Sequence, residues 1–259
     1  MLKNGLGNRD REKKIGGWVT TICGILLFSF FIAPLTVESG TIPKLSGRAN
    51  SLDYMTDNGT YSWGNKQTSD LGTVGHNQED HGYFSWSELN LFAATTYAFG
   101  DFNCHQKHER SWEINGNQMP VCTRDIGIFL GAFLIGIIWT RYGHNRWTIK
   151  DSFISIFPDK KLNQIYEKNH RNLLFWGIGC LALVPILLDG GIQAISNYES
   201  GTFRRIFTGA LFGGGFMWFF CASLSARPAH FEDESQVILP ANARFFQPSE
   251  EFHQDTSEE

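Results

Sequence analysis

The chain has 259 residues, a formal net charge of −4 at pH 7 and a mean hydropathy of −0.20. The absence of a basic excess excludes a charge-driven nucleic-acid binder. The average conceals four apolar stretches, 15–35, 126–140, 172–188 and 206–224, each close to the roughly 20 residues that cross a ~30 Å hydrocarbon layer.

Almost nothing between these stretches has a core-forming pattern, so they are read as membrane spans rather than as buried helices of a soluble protein. The expected class is all-α: a four-helix transmembrane bundle with an extracytoplasmic interfacial helix and a polar outer loop region. In chain order, a basic N-terminal tail, 1–14, precedes the first span, 15–35. That span is long for the apolar part of a signal peptide and lacks a small-residue cleavage site, so it is taken as retained. The segment 36–125 is then expected outside the cell membrane. Its first part, rich in Gly, Asn, Asp, Ser and Thr, reads as turns and short strands, with a glycosylation triplet at Asn58 and solvated histidines at His76 and His81. A helix-start pattern at Ser85 or Ser87, with Leu89, Phe92, Ala93 and Tyr97 on one face, predicts an interfacial helix over 86–99, ended by Gly100.

The second span, 126–140, is followed by a basic connection, 141–171, which includes a short segment broken at Pro158. The third span is 172–188, the second outer connection 189–205, the fourth span 206–224, and an acidic tail, 225–259, ends the chain. Lys3, Arg9, Arg11, Lys13 and Lys14 in the tail, and Arg141, Arg146, Lys150, Lys160, Lys161, Lys168 and Arg171 in the connection, place both on the cytoplasmic side, since positive residues resist translocation. Four spans then leave both termini of a multi-pass cell-membrane protein in the cytoplasm. Gly127 and Gly131, and Gly209 and Gly213, give the second and fourth spans small-residue grooves for close packing.

The second span covers only about 22 Å at 1.5 Å per residue, so its helix is expected to run outward through Cys122, Thr123, Arg124 and Asp125. Asp189 and Gln193 follow the third span on the same side, and Arg204 and Arg205 open the fourth. Charges near hydrocarbon turn inward and pair, so Arg124, Asp125, Asp189 and Arg205 are expected to converge with His105, Gln106, Glu109, Arg110, Ser111 and Gln193 in one polar pocket. Cys104 and Cys122 admit two readings that exclude each other. A disulfide closing about 19 residues would contribute roughly 3 kcal/mol. Alternatively Cys104, Cys122 and Asp125, with Asp101, are candidate ligands for zinc or another transition metal, Cys122 and Asp125 being three apart on one helical face.

The stretch YAFGDFNCHQKHERSWEINGNQMPVCTRDIGIFLGAFLIG, with LDGGIQ and RIFTGALFGG after it, resembles a prokaryotic family of small multi-pass membrane proteins of unknown function (DUF2085-like). The resemblance runs over about 85–224 and brings no activity with it. Its pattern falls on Cys104, His105, Gln106, Arg110, Ser111, Pro120, Cys122, Arg124, Asp189, Gln193, Arg205 and Gly209. Asp125 departs from it, standing where the pattern implies a second cysteine. Aspartate ligates zinc but joins no disulfide, so the departure weakens a thiol-redox reading and leaves a metal site open.

The function expected is therefore a polar Cys/His/Arg/Asp site at the outer membrane interface, metal-binding or acting on an anionic amphiphile. The alternative is a non-catalytic accessory or structural subunit with a Cys104–Cys122 disulfide, associated with other membrane proteins or with its own copies in the lipid bilayer. Neither a nucleotide loop nor a zincin helix is present, and no reaction is named by the sequence.

Overall fold

The structure is a computed structural model that describes residues 2–3, 9–45, 52, 54–55, 82–196, 198–231 and 237–243. Asn58, His76, His81 and most of the acidic tail lie outside the described residues. The chain is all-α, with a candidate four-helix membrane bundle. Among the described residues seven α-helices run in order: α1 (Asp10–Ile32), α2 (Leu91–Asn103), α3 (Thr123–Tyr142), α4 (Ile149–Phe153), α5 (Asp159–Glu167), α6 (Arg171–Ile195) and α7 (Thr202–Ser225). Four of them, α1, α3, α6 and α7, are long and apolar enough to cross a bilayer. Among the described residues there are also two-residue strands: β1 (Leu2–Lys3) pairs in parallel with β4 (Val237–Ile238), and β2 (Glu113–Ile114) forms a hairpin with β3 (Asn117–Gln118).

The chain separates into two compact units whose boundaries fall inside the four long helices. Unit 1 comprises 1–17, 137–178 and 218–259. Here the first residues of α1 are tied to helix C-termini. Arg9 donates to the carbonyls of Arg141 at 2.7 Å and Gly143 at 2.9 Å, and Arg11 donates to those of Leu224 and Ser225. The last carbonyls of a helix have no intrahelical donors and carry its negative dipole end, so a guanidinium there answers both needs. Pro158 ends the turn before α5, as the sequence predicts, because proline supplies no N–H and fixes φ. Asp151 anchors the connection: it is fully buried, accepts from Tyr166 Oη at 2.7 Å and pairs with Arg171 at 3.3 Å.

Unit 2 comprises 18–136 and 179–217 and holds the helix ends that carry the candidate site. Within it α3 and α7 lie backbone to backbone. A Cβ added at Gly127, Gly131, Gly209 or Gly213 would overlap the carbonyl oxygen of Ile206, Ala210, Arg124 or Ile128 respectively. Only glycine permits that approach, so each helix lays its glycine pair against the other's backbone. α1 adds Phe30, which packs edge-on to Phe129 and face-on to Phe99.

The predicted helix over 86–99 is shifted. Trp86–Glu88 forms a single 3-10 turn, and α2 runs from Leu91 to Asn103. Asn90, rather than Ser85 or Ser87, is the N-cap, its Oδ1 accepting from Ala93 N at 3.0 Å. The helix passes through Gly100 instead of stopping there. Gly100 serves close approach, since a Cβ would overlap the carbonyl of Pro120. Ala93, Tyr97, Gly100 and Asp101 face inward, while Leu91 and Phe92 are exposed.

Candidate functional site

Cys104 terminates α2, its N–H donating to Gly100 O at 2.7 Å. From there the chain makes a 3-10 turn over His108–Arg110 and the β2–β3 hairpin, then returns as Cys122 at the start of α3. The hairpin turn is Asn115–Gly116, with φ of 54° and 67°, the geometry that favours this dipeptide in two-residue hairpins. Buried amide side chains fix the loop. Asn117 Oδ1 accepts from Ile42 N at 2.9 Å, Gln118 Oε1 from Leu45 N at 2.8 Å, and Gln106 Nε2 donates to Pro120 O at 2.8 Å. These hold the two ends of an 18-residue separation together: Cys122 N–H donates to Cys104 Sγ at 3.2 Å.

The carbonyl of Cys122 accepts from Ile126 N, which starts α3 and sets Asp125 in its first turn. Cys122 Sγ lies 3.2 Å from Asp125 Oδ2, and Cys104 Sγ, Cys122 Sγ and an Asp125 carboxylate oxygen all lie within 4.8 Å of one another. The two cysteines stand as thiols, not as the bridge that was the alternative expectation. Cys104 is buried with Phe30, Met119, Val121 and Ile126. A side-chain hydrogen bond to the Cys122 sulfur, distinct from the backbone one and reinforced by burial, pushes the Cys104 thiol well above the ordinary range. The same bond from Cys104 lowers Cys122, against the opposing effects of burial and the Asp125 charge, so Cys122 is the first of the pair to lose its proton.

The polar residues separate into linked groups. Arg124 pairs with Asp189, and both are largely buried. Arg110 Nη2 donates to Glu199 Oε1 at 2.6 Å, while Arg205 Nη2 and Gln193 Nε2 donate to Glu199 Oε2 at 3.0 and 2.6 Å. Tyr198 extends the first group, with its hydroxyl 3.4 Å from Asp189 Oδ1 and accepting from Arg204 at 2.7 Å. Arg110 holds the Glu199 carboxyl below the usual range, chiefly by its hydrogen bond. A cavity of about 440 Å³ lies between α6 and α7, lined by Pro185, Leu188, Ile192, Phe203 and Phe207, with Asp189, Tyr198, Arg204 and Thr208 as its polar part.

Several expected members take other places. Asp101 is fully buried and accepts from Tyr54 N and Trp86 Nε1, both at 3.0 Å, so it braces α2 rather than joining the sulfurs. His105 and Glu109 are exposed, and Ser111 Oγ donates to Lys107 O at 3.0 Å. Asp125 turns to Cys122 instead of an arginine. Glu199, Tyr198 and the amides of Asn117 and Gln118 were not anticipated. No sequence signal singles out Glu199, since Glu109, Asp125 and Asp189 already balance the three arginines of the expected pocket. The signal for the amides was the Asn-Gly turn immediately before them.

Fold and site together present four candidate membrane spans with thiols and paired charges gathered at helix ends. Residues 104–219 match the family described as "Predicted membrane protein (DUF2085)", and over those residues the match carries the family resemblance read from the sequence. Two archaeal relatives are similar, both uncharacterized proteins. One, from Methanocaldococcus jannaschii, is 33 % identical over 118 residues, 45 % of this chain and 60 % of that protein's length. The other, from Methanothermobacter thermautotrophicus, is 28 % identical over 112 residues, 43 % of this chain and 78 % of its own. No solved structure matches.

Proposed function

We propose that this integral membrane protein binds a transition metal of the zinc class through Cys104, Cys122 and Asp125, beside an arginine cluster that holds the anionic group of an amphiphile. The observation carrying this reading is the gathering of two sulfurs and a carboxylate oxygen within 4.8 Å. Tetrahedral zinc holds such ligands about 3.5–3.8 Å apart, so small side-chain rotations bring the three onto one ion. Three protein ligands leave a fourth position for water or substrate, the pattern of catalytic rather than structural zinc. Arginine forks suit planar or tetrahedral oxyanions. His105 and Asp101 take no part in this reading. The lysine and arginine distribution supports a cytoplasmic N-terminus and C-terminus, with the site on the outer side.

Detergent-purified protein is expected to carry about one transition-metal ion per chain, with the content falling about tenfold or more in Cys122→Ser and Asp125→Ala. Metal-free protein whose unreduced peptides show Cys104 joined to Cys122 overturns the reading. A second reading, an accessory subunit, is favoured by α6, where Asp189 is the one buried residue along 25. A helix apolar all round meets either lipid or a partner chain.

A further inference from the structure

The arginine cluster has more hydrogen-bonding capacity than its carboxylates use. Both oxygens of Glu199 are committed, to Arg110 and to Arg205 with Gln193, and Asp189 is committed to Arg124. Still, Nε of Arg110, Nε of Arg124 and Oγ of Ser200 are buried with no hydrogen-bond partner. Ser200 and Arg205 are themselves more than nine-tenths buried, and the Ser200 carbonyl accepts from Arg205 Nε at 2.9 Å. Buried donors without acceptors are rare in folded proteins because they forfeit hydration with no return. Glu199, by contrast, has a side chain 59 % exposed, so what it occupies is open to exchange with solvent.

We propose that Arg110, Arg205, Gln193 and Ser200 form a binding site for the phosphate group of a membrane-soluble phosphoester, and that the Glu199 carboxylate is a built-in stand-in which the ligand displaces. A carboxylate offers two oxygens in one plane, and both are used. A phosphate offers three or more in a tetrahedron and reaches donors outside that plane, with guanidinium forks contributing paired, charge-assisted bonds. The 440 Å³ cavity is lined by Asp189, the partner of Arg124, rather than by the four site residues, and Leu188, Ile192, Phe203 and Phe207 along it provide an apolar seat for an acyl chain. This inference rests on reading the arginines as ligand-holding and is independent of the metal.

The test is a titration of the full-length purified protein, as isolated and after chelator treatment. One arm uses inorganic phosphate, the other phosphatidylcholine vesicles with and without phosphatidic acid. Glu199→Gln, an exposed substitution, is expected to tighten binding by about tenfold if the carboxylate fills the site nine-tenths of the time. Arg110→Gln is expected to abolish it. A gain in both arms assigns the site to any phosphate, and a gain in the vesicle arm alone assigns it to a lipid headgroup. Unchanged or weaker binding by Glu199→Gln in both arms overturns the proposal. A gain in protein that carries no metal as isolated leaves this inference standing while the metal reading fails, and bound metal without any gain does the reverse.

Discussion

Asp101 lies near the end of α2 with its carboxylate buried, accepting from a backbone N–H and an indole N–H. Its proximity in sequence to Cys104 makes it a candidate ligand, but Cys104 is the C-cap of α2 with an extended backbone, so the two no longer share a helical face and Asp101 turns to Tyr54 and Trp86. Asp101→Asn replaces one acceptor oxygen by a donor amide and is expected to lower stability by about 1–3 kcal/mol. Thermal denaturation in detergent measures this, and a variant as stable as the parent would show that these bonds do not brace the helix. The residue types of the site were legible, since cysteines and charges beside apolar runs announce themselves. Their partners were not, because His105 and Cys104 are adjacent in sequence yet one is exposed and the other buried.

Among the elements, α3 and α7 are joined through backbone rather than side-chain knobs. Dispersion contacts and the close approach of two main chains hold such pairs, since lipid provides no hydrophobic drive between helices. Gly131→Val would force its side chain into the Ala210 carbonyl and the Gly214 N–H. A loss of about 1–3 kcal/mol or more is expected, read as a lowered Tm and early aggregation. Gly177→Ala, on α6 with nothing within 4 Å, is the control expected to be neutral. If both substitutions behaved alike, the crossing would not depend on small residues. The spaced glycines were visible in the sequence, whereas the pairing of these two helices was not. The start of α2 was misread because Ser85, Ser87 and Asn90 are all competent caps, and the choice fell to the residue whose side chain reaches Ala93 N.

For the molecule as a whole, each of the four long helices contributes to both units. In unit 1 the arginines that set the expected orientation also cap helices, Arg9 at the end of α3 and Arg11 at the end of α7. The expected orientation and the capping of these helices thus rest on the same side chains. A cytoplasmic position for the 141–171 connection and an outer one for the site make a direct prediction. In intact cells a membrane-impermeant maleimide is expected to label Glu109→Cys above the unsubstituted chain and to leave Lys160→Cys unlabelled. The reverse pattern would invert the orientation and place the cysteine cluster in the reducing compartment.

The amino-acid sequence by itself determined the membrane class, the four candidate spans, the small-residue faces and the types of residue at the helix ends, because hydrophobic run length and charge position are local quantities. The tertiary structure decided which of those residues meet. Cys104 and Cys122 are neighbours only because an Asn-Gly hairpin and buried amides fold the intervening loop back on itself, and Glu199 enters the arginine cluster only because α6 and α7 present Gln193 and Arg205 to it. Contacts between residues far apart in the chain depend on packing and on buried hydrogen-bond satisfaction across several elements, and no window of sequence contains that information.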